Sequence, residues 1–236
     1  MSFHHSPKIV TDGLLMYLDA ANIKSFPKSG STWYDLSGNG YHATIKEDEN
    51  IGGALVDGMD WWVSDYGGIF DFPTGSTTDC IALDGVAAQQ TTTQYTLEFW
   101  VRWYNTSGKY FCDMSDGGNH NLVLNAQNAL SIAPNGVSAI SYADGEVMQT
   151  GWIRDTDGGT SAGIKNGVRT TATTPPAITT CHADGWILNQ EQDSLGGTFA
   201  TQACWAGWCI VKLYNRALTD IELKQNYDAT KGRFGL

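Results

Sequence analysis

The stretch that decides the fold is YTLEFWVRW at Tyr95–Trp103, the clearest alternating run in the chain. Its odd-numbered positions, 95 to 103, are all apolar, so an extended strand here presents one wholly hydrophobic face. Such a face belongs in a core. Trp100 lies on the opposite face between Glu98 and Arg102, where it either lines a ligand groove or covers the second side of the sheet.

Short apolar or alternating runs elsewhere are separated by turn-forming residues, among them 27 glycines, as many-stranded sheets require. Further strands are predicted at 13–19, 121–124, 137–142, 148–154, 164–168 and 205–214. The dipeptide Asn166-Gly167 is a strong hairpin signal. In the last run the alternation groups Trp208, Ile210 and Tyr214 on one face and Cys209, Val211 and Leu213 on the other.

The end of the chain predicts a short helix. Thr219 and Glu222 have the spacing of a capping box, in which each side chain bonds to the other's backbone N–H, and Gly232 supplies a stop. A length of 236 residues suits a single all-β sandwich, and 42% hydrophobic residues are enough to bury a core. We therefore expect an N-terminal arm at residues 1–7 and one β-sandwich domain at 8–236.

The net charge of −11 repels phosphate backbones and anionic membranes, so we expect that the protein does not bind nucleic acid. No run reaches transmembrane length and no apolar segment begins the chain, which predicts no membrane insertion and no signal peptide. Buried free thiols in a reducing compartment are favoured, although Cys204 and Cys209 could bridge if their geometry allowed. The five cysteines are Cys80, Cys112, Cys181, Cys204 and Cys209.

The segment WILNQEQDSLGGTFATQ at 186–202 places oxygen-bearing side chains in a glycine-bounded turn after an apolar strand. Glu191 and Asp193 are one residue apart, and Gln202 adds an amide oxygen. Calcium takes six to eight such hard oxygen ligands from loops. The segment is thus a calcium-loop candidate, and the alternative is a plain hydrogen-bonded turn between strands.

Residues 190–197 with the following aromatic and Gln resemble the calcium-binding segment of pentraxins. The runs at 31–44 and 213–223 resemble the opening and the terminal strand-to-helix signature of laminin-G-like domains, especially those of bacteriophage and marine bacterial proteins. The resemblance implies a concanavalin A-like jelly-roll β-sandwich of two antiparallel sheets with a short C-terminal helix.

The same resemblance implies calcium as the cofactor and a set of ligands for it. In the first segment these are Glu191, the carbonyl of Gln192, Asp193 and Gln202, although the spacing before Gln202 is one residue shorter than in the family. Asp116 and Asn119 take the place of the family's adjacent Asp-Asn pair, which this chain lacks. Without that pair the site holds less negative charge, so weaker calcium binding, a single ion rather than two, and an empty site are all open.

Trp100 and His120 complete the set as candidate ligand-binding residues. A second alternation of oxygens, Asp35, Ser37 and Asn39, is similar to the start of a calcium loop but stops before the required bidentate Glu, so a self-bonded turn is favoured there.

Concanavalin A-like sandwiches include glycoside hydrolases, which need two carboxyl groups set about 5–5.5 Å apart in retaining enzymes. Glu191 and Asp193 fit the first two acids of the laminarinase-type pattern Glu-x-Asp-x-x-Glu, but Gly196 occupies the place of the third. Nucleophile-elbow, zinc-protease and phosphate-loop motifs are also missing from the sequence. The sequence predicts a non-enzyme.

Two functions remain. One is a calcium-assisted carbohydrate-binding module, and the other is a non-catalytic protein on the surface of a phage virion, as a capsid decoration or fibre-associated knob. We favour a lectin-like virion protein, made in the host cytoplasm, with a free-standing lectin-like module as the alternative. The expected partners are capsid or other virion proteins and a surface glycan, and a homo-oligomer is compatible with this role.

Overall fold

The computed structural model describes residues 7–46, 60–71, 80–89, 93–104, 109–113, 124–126, 129–132, 140–175, 186–189, 204 and 206–236. Within them the strands are β1 (Leu14–Asp19), β2 (Thr32–Trp33), β3 (Ala43–Lys46), β4 (Asp60–Ser64), β5 (Gly67–Asp71), β6 (Cys80–Leu83), β7 (Gln94–Trp103), β8 (Lys109–Asp113), β9 (Leu124–Ala126), β10 (Ala129–Ile132), β11 (Ile140–Ser141), β12 (Val147–Asp155), β13 (Thr160–Lys165), β14 (Val168–Arg169), β15 (Trp186–Leu188) and β16 (Ala206–Tyr214).

These strands form two antiparallel sheets that pack face to face, so the predicted all-β sandwich is confirmed. The first sheet has the order β14-β13-β12-β7-β16-β5-β4, and β1 also pairs with β16. The second has the order β11-β10-β9-β8-β15-β6-β3-β2. Some neighbours are consecutive hairpin strands, such as β12, β13 and β14, whereas others, such as β7 and β16, are far apart in sequence. The helix α1 (Asp220–Thr230) follows β16.

Strand β7 supplies the centre of the core, as its alternation predicts. All five odd-numbered side chains from 95 to 103 are buried in the main hydrophobic cluster. Tyr95 contacts Trp186 of the second sheet with ring centroids 5.2 Å apart, and Phe99 contacts Phe111 at 5.1 Å. Because each ring pair spans the two sheets, β7 holds the sandwich together.

The side chains of strand β16 do not alternate between the two faces as the sequence predicts for residues 205–214. Its pairing with β7 shifts between Trp208 and Ile210, which marks an inserted residue. Trp208 and Val211 therefore both face the core, whereas Cys209 and Ile210 lie in a cluster on the outer face. The predicted grouping of Trp208 with Ile210 is wrong, because a bulge reverses the facing of every later side chain.

The outer face of the first sheet is covered by the C-terminal segment, and we call it the helix-covered face. Trp100 lies at its centre, fully buried, and stacks on Phe234 with centroids 4.0 Å apart and ring planes 10° apart. Its indole Nε1–H donates to Thr230 Oγ1 at 2.8 Å. The structure thus gives Trp100 the covering role, and its ring presents no exposed surface to a ligand.

A buried polar network lies under the same helix. The Nζ of Lys212 is 3.2 Å from Oε2 of Glu98, and both side chains are almost completely buried. Asn226 of α1 donates to Glu98 Oε2 at 2.7 Å and accepts from the Val10 N–H at 2.8 Å. Gln149 donates to the other Glu98 oxygen at 3.0 Å. The network joins strands β7, β12 and β16 to the helix and the N-terminal segment. It follows the rule that buried charges are paired.

The helix begins as the sequence predicts. Thr219 Oγ1 accepts from the Glu222 N–H, and the Glu222 carboxylate accepts from the Thr219 N–H, which confirms the capping box. The predicted stop at Gly232 is wrong, because this residue lies inside a 3₁₀ turn at Lys231–Phe234. The left-handed residue that ends the turn is Gly235, with φ of 73°.

Other local predictions have mixed outcomes. Asn166 and Gly167 have φ of 50° and 76° and form the predicted tight turn, between β13 and β14. The run predicted at 137–142 is described only from residue 140, where β11 lies, and residues 1–6 of the predicted arm lie outside the described ranges. The four described cysteines, Cys80, Cys112, Cys204 and Cys209, are buried, and Cys112 and Cys209 are free thiols. None of the described helices combines the length and the apolar character that a membrane span requires.

Candidate functional site

Apart from Trp100, the predicted metal and ligand residues lie in two segments outside the described ranges. These residues are Glu191, Gln192, Asp193, Gln202, Asp116, Asn119 and His120. The strand ends from which both segments depart are described, and they constrain where such a site could form. The first segment departs after Asn189 and returns at Cys204, and the second departs after Asp113.

Asn189, the last described residue before the first segment, is hydrogen-bonded to the second sheet and to Cys204. Its N–H donates to Phe111 O at 2.8 Å, and its own carbonyl accepts from the Cys204 N–H at 2.9 Å. Asn189 is fully buried with φ of 73°, and its side-chain oxygen accepts from Trp208 Nε1 at 3.4 Å. The two ends of the predicted calcium segment are therefore fixed side by side above the core.

The strand register sets the relation between the two segments. Ile187 lies opposite Asp113 and Leu188 opposite Cys112, in antiparallel pairing. Strands β8 and β15, which lead into the two segments, therefore run in opposite directions, and their ends at Asp113 and Asn189 are offset by two residues, or about 7 Å, along the strands.

The outer side of the second sheet carries a transverse row of directly paired residues, and we call it the second-sheet face. The row runs Asp113, Ile187, Ala82, Thr44 and Thr32. The first three are only 2%, 7% and 3% exposed, although they face away from the core. The two threonines are half-buried. The face is therefore covered at its centre and becomes accessible toward the β2 edge.

Beside the threonines, an aromatic pair lies at the β2 edge. Tyr34 is 40% exposed, and its ring meets that of His42 at a centroid distance of 5.1 Å and an angle of 69°. The Asp35 N–H donates to His42 Nδ1 at 3.0 Å, so the ring proton of neutral His42 is on Nε2. Thr44 Oγ1 donates to the Asp84 carboxylate at 3.0 Å. We call Tyr34, His42, Thr44 and Asp84 the edge cluster.

Sequence reasoning missed the edge cluster. Alternation around the buried Trp33 and Ala43 would have placed Tyr34 and His42 outward, but bringing them together requires the pairing of β2 with β3. That pairing also places Asp84 beside Thr44 from a third segment, 40 residues away in sequence.

The Asp35–Asn39 loop bonds to its own chain rather than to a metal. The two oxygens of Asp35 accept from the N–H groups of Tyr17, Ser37 and Tyr41 and from the Ser37 hydroxyl, at 2.6–3.1 Å. Asn39 Nδ2 donates to two carbonyls of β1. The self-bonded turn is what the structure shows, and no group of three His, Cys, Asp or Glu side chains suited to a metal occurs among the described residues.

A cleft of about 500 Å³ opens between β1, β16 and the C-terminal turn. Its main charges are compensated internally, since Arg233 Nη1 is 2.6 Å from Asp19 Oδ1 and its other nitrogens donate to the carbonyls of Tyr66 and Gly68. Burial, with Asp19 nearby, raises the pKa of Tyr17. Arg233 thus links the C-terminal turn to β1 and to the β4–β5 hairpin at this cleft.

The buried thiols are not poised for nucleophilic chemistry. Burial raises the pKa of Cys112 well above its ordinary value and that of Cys209 to about 12. Both therefore stay protonated at neutral pH, and a protonated thiol is a weak nucleophile.

Comparison with known proteins identifies the fold and no family. No family model and no curated protein matches the chain. Solved structures do match, among them Trypanosoma rangeli sialidase in complex with sialic acid, at 15% identity and a TM-score of 0.58 over 93% of this chain. The match covers 33% of the sialidase chain.

Botulinum neurotoxin type C, whose cell entry depends on interaction with two ganglioside molecules, matches at 12% identity and a TM-score of 0.64, over 93% of this chain and 52% of that one. Domain 4 of AbnA, a GH43 extracellular arabinanase of Geobacillus stearothermophilus solved with arabinotriose, matches at 16% identity and 0.59, over 91% of this chain and 98% of that domain. The chain shares the β-sandwich fold of these structures. It spans about a third of the sialidase chains and nearly the whole of the arabinanase domain.

Proposed function

We propose that this lectin-like sandwich is a non-catalytic carbohydrate-binding module that holds a glycan on the second-sheet face. The observation that carries the proposal is the match to AbnA domain 4, because it extends over 98% of a module solved with arabinotriose. The sialidase and neurotoxin structures support it, because the first was solved with sialic acid and cell entry of the second depends on interaction with two ganglioside molecules. Fold alone does not specify a ligand, so the site has to supply the rest of the argument.

The second-sheet face supplies suitable chemistry. Its accessible edge combines the half-buried hydroxyl of Thr44 and the exposed ring of Tyr34. Sugar sites in proteins pair apolar or aromatic surface with a few fixed polar groups that set orientation. The helix-covered face offers no such opening around Trp100, whose ring is stacked on Phe234.

We further propose that calcium binds over this face through Glu191, Gln192, Asp193 and Gln202, with Asp116 and Asn119 from the neighbouring segment. Support comes from the sequence and from the register that attaches both segments to β8 and β15. A bound calcium ion would supply coordination for sugar hydroxyls and neutralise the carboxylates around it.

A glycan array screened with calcium and with a chelator tests the module, and calorimetric titration of calcium tests the ion. We expect neutral or acidic glycans to bind, and Asp193→Asn to reduce calcium affinity at least tenfold. Asp157→Asn, at an exposed turn of the first sheet, is the matched control and should bind calcium as the wild type does. An array without any bound glycan would overturn the proposed function, and unchanged titration of Asp193→Asn would overturn the calcium site.

The place on a phage virion stays a prediction from the sequence resemblance. A weak glycan site would gain from multivalent display on a particle, through the high effective concentration of linked copies. Mass spectrometry of purified particles tests this location, and particles that lack the chain would exclude it.

A further inference from the structure

We propose that the edge cluster is a sugar-ring subsite, in which the exposed face of Tyr34 stacks on a neutral glycan while His42 and Asp84 bind its hydroxyls. This inference rests on the proposed function and gives the ligand class and the residues of its site. It is independent of calcium, because none of its residues belongs to the predicted metal segments.

Tyr34 provides the platform. With 40% of its surface exposed, it is one of the few large side chains of the described residues that reach solvent, and the ring of His42 supports it from one side. The faces of an aromatic ring carry negative partial charge, and the C–H groups of a sugar ring carry positive partial charge. A sugar ring laid on Tyr34 therefore gains both apolar contact and weak C–H attraction.

His42 provides a donor of fixed direction. Its Nδ1 accepts the Asp35 N–H at 3.0 Å, which leaves Nε2–H as the donor of the neutral ring. The perpendicular contact with Tyr34 fixes the ring plane as well. A donor held by backbone on one side and by an aromatic ring on the other needs little ordering when a hydroxyl binds.

Asp84 provides the acceptor. Thr44 Oγ1 donates to both of its carboxylate oxygens, at 3.0 and 3.3 Å, which orients the group. The next residue, Gly85, donates its N–H to the His42 carbonyl at 3.1 Å, so this backbone pairing brings Asp84 alongside His42. A carboxylate has about four lone-pair sites and accepts several hydrogen bonds at once, which suits it to sugar hydroxyls.

The charges favour a neutral sugar. Asp35 and Asp84 both border the cluster, and the whole chain carries a net charge of −11. A sialic acid carboxylate would meet this negative potential, whereas a neutral oligosaccharide would not. Among the ligands that the matched structures contain, arabinotriose has the chemistry of this site and sialic acid does not.

The test measures dissociation constants of arabinotriose, lactose, maltotriose and 3′-sialyllactose by NMR titration. We expect at least one neutral sugar to bind and 3′-sialyllactose to bind no better than lactose. Tyr34→Ala should weaken neutral-sugar binding about tenfold, or about 1.4 kcal/mol, since it removes the stacking surface. Tyr34→Phe should retain it. Ile221→Ala, at an exposed helix position on the other sheet, is the control and should have no effect.

The outcomes separate the subsite from the module. If the wild type binds neutral sugars and Tyr34→Ala binds them equally well, the subsite is wrong and the proposed function stands. If only 3′-sialyllactose binds, the neutral class is wrong. If no glycan binds here or on the array, both fail. The His42 ring nitrogens provide a second readout, because bound sugar should shift the Nε2 signal in the wild type and not in Tyr34→Ala.

Discussion

The two outer faces of the sandwich differ in how their polar groups are satisfied. On the helix-covered face, Glu98 and Lys212 are paired with each other and with Asn226 under the C-terminal helix, and neither of these two charges reaches solvent. On the second-sheet face, the row from Asp113 to Thr32 changes from buried to half-buried and ends beside the exposed Tyr34. The first face is closed by the chain's own helix, whereas the edge of the second face is open to solvent.

The largest expected effect on the helix-covered face comes from removing one partner of the buried ion pair between Glu98 and Lys212. Lys212→Met should destabilise the protein by about 3–5 kcal/mol, because Glu98 is left buried without a counter-charge. Burial already raises the pKa of Glu98, against the opposing effect of Lys212, and losing Lys212 raises it further. A raised carboxyl pKa means that the folded state binds the proton more tightly than the unfolded chain, so the deficit should shrink as the pH falls from 7 toward the ordinary carboxyl value of 4.5.

Urea denaturation at pH 7 and pH 5 measures this effect. The double variant Glu98→Gln with Lys212→Met is the control and should recover much of the loss, since it removes both charges. Arabinotriose affinity of the folded fraction should match the wild type if the two faces are independent. A deficit below 1 kcal/mol at pH 7 would show that the pair is not an essential part of the helix-covered face.

The sequence predicts the core face of β7, but it does not predict the bulge in β16 or the partner of Trp100 on the helix-covered face. The alternation of β7 predicts its core face because every second residue is apolar. The bulge in β16 escaped prediction because Cys209 and Ile210 are both apolar, so the pattern contains no mark of the inserted residue. The partner of Trp100 could not be found either, since Phe234 lies 134 residues later and reaches it only through the helix.

The candidate site was harder still to predict. The second-sheet face is assembled from β8, β15, β6, β3 and β2, whose pairing depends on contacts between distant segments. Composition and spacing point to loops such as 190–197, where ligand atoms are close in sequence. They do not reveal a row in which Asp113, Ile187 and Ala82 come from three separate strands. The metal residues that the sequence predicts lie outside the described residues, so they stay predictions.

The edge cluster can be perturbed from its backbone. A Cβ on Gly85 would lie 2.1 Å from the His42 carbonyl oxygen, so Gly85→Ala must push the Asp84 turn away from β3. We expect a cost of about 1–3 kcal/mol, as for other overpacked sites, together with weaker binding of neutral sugars. Gly232→Ala, where no atom lies within 4 Å, is the matched control and should change neither. Unaltered sugar affinity in Gly85→Ala would argue that Asp84 takes no part in the site.

The smallest effect concerns how the helix is held over the first sheet. Arg216 donates to both Glu222 oxygens, at 2.9 and 2.6 Å, and these hydrogen bonds lower the carboxyl pKa to about 2. A depressed carboxyl pKa stabilises the fold above about pH 4.5, and the contribution is lost as the pH falls toward 2. Glu222→Gln keeps an acceptor for the Thr219 cap and removes only the charge. We expect Glu222→Gln to lower the free energy of unfolding by about 1 kcal/mol or less at pH 7 and to leave it unchanged near pH 2. Urea denaturation midpoints across that pH range measure the difference. Asp157→Asn should show no such pH-dependent difference, and a constant gap for Glu222→Gln at every pH would place the stabilisation in packing rather than in the ion pair.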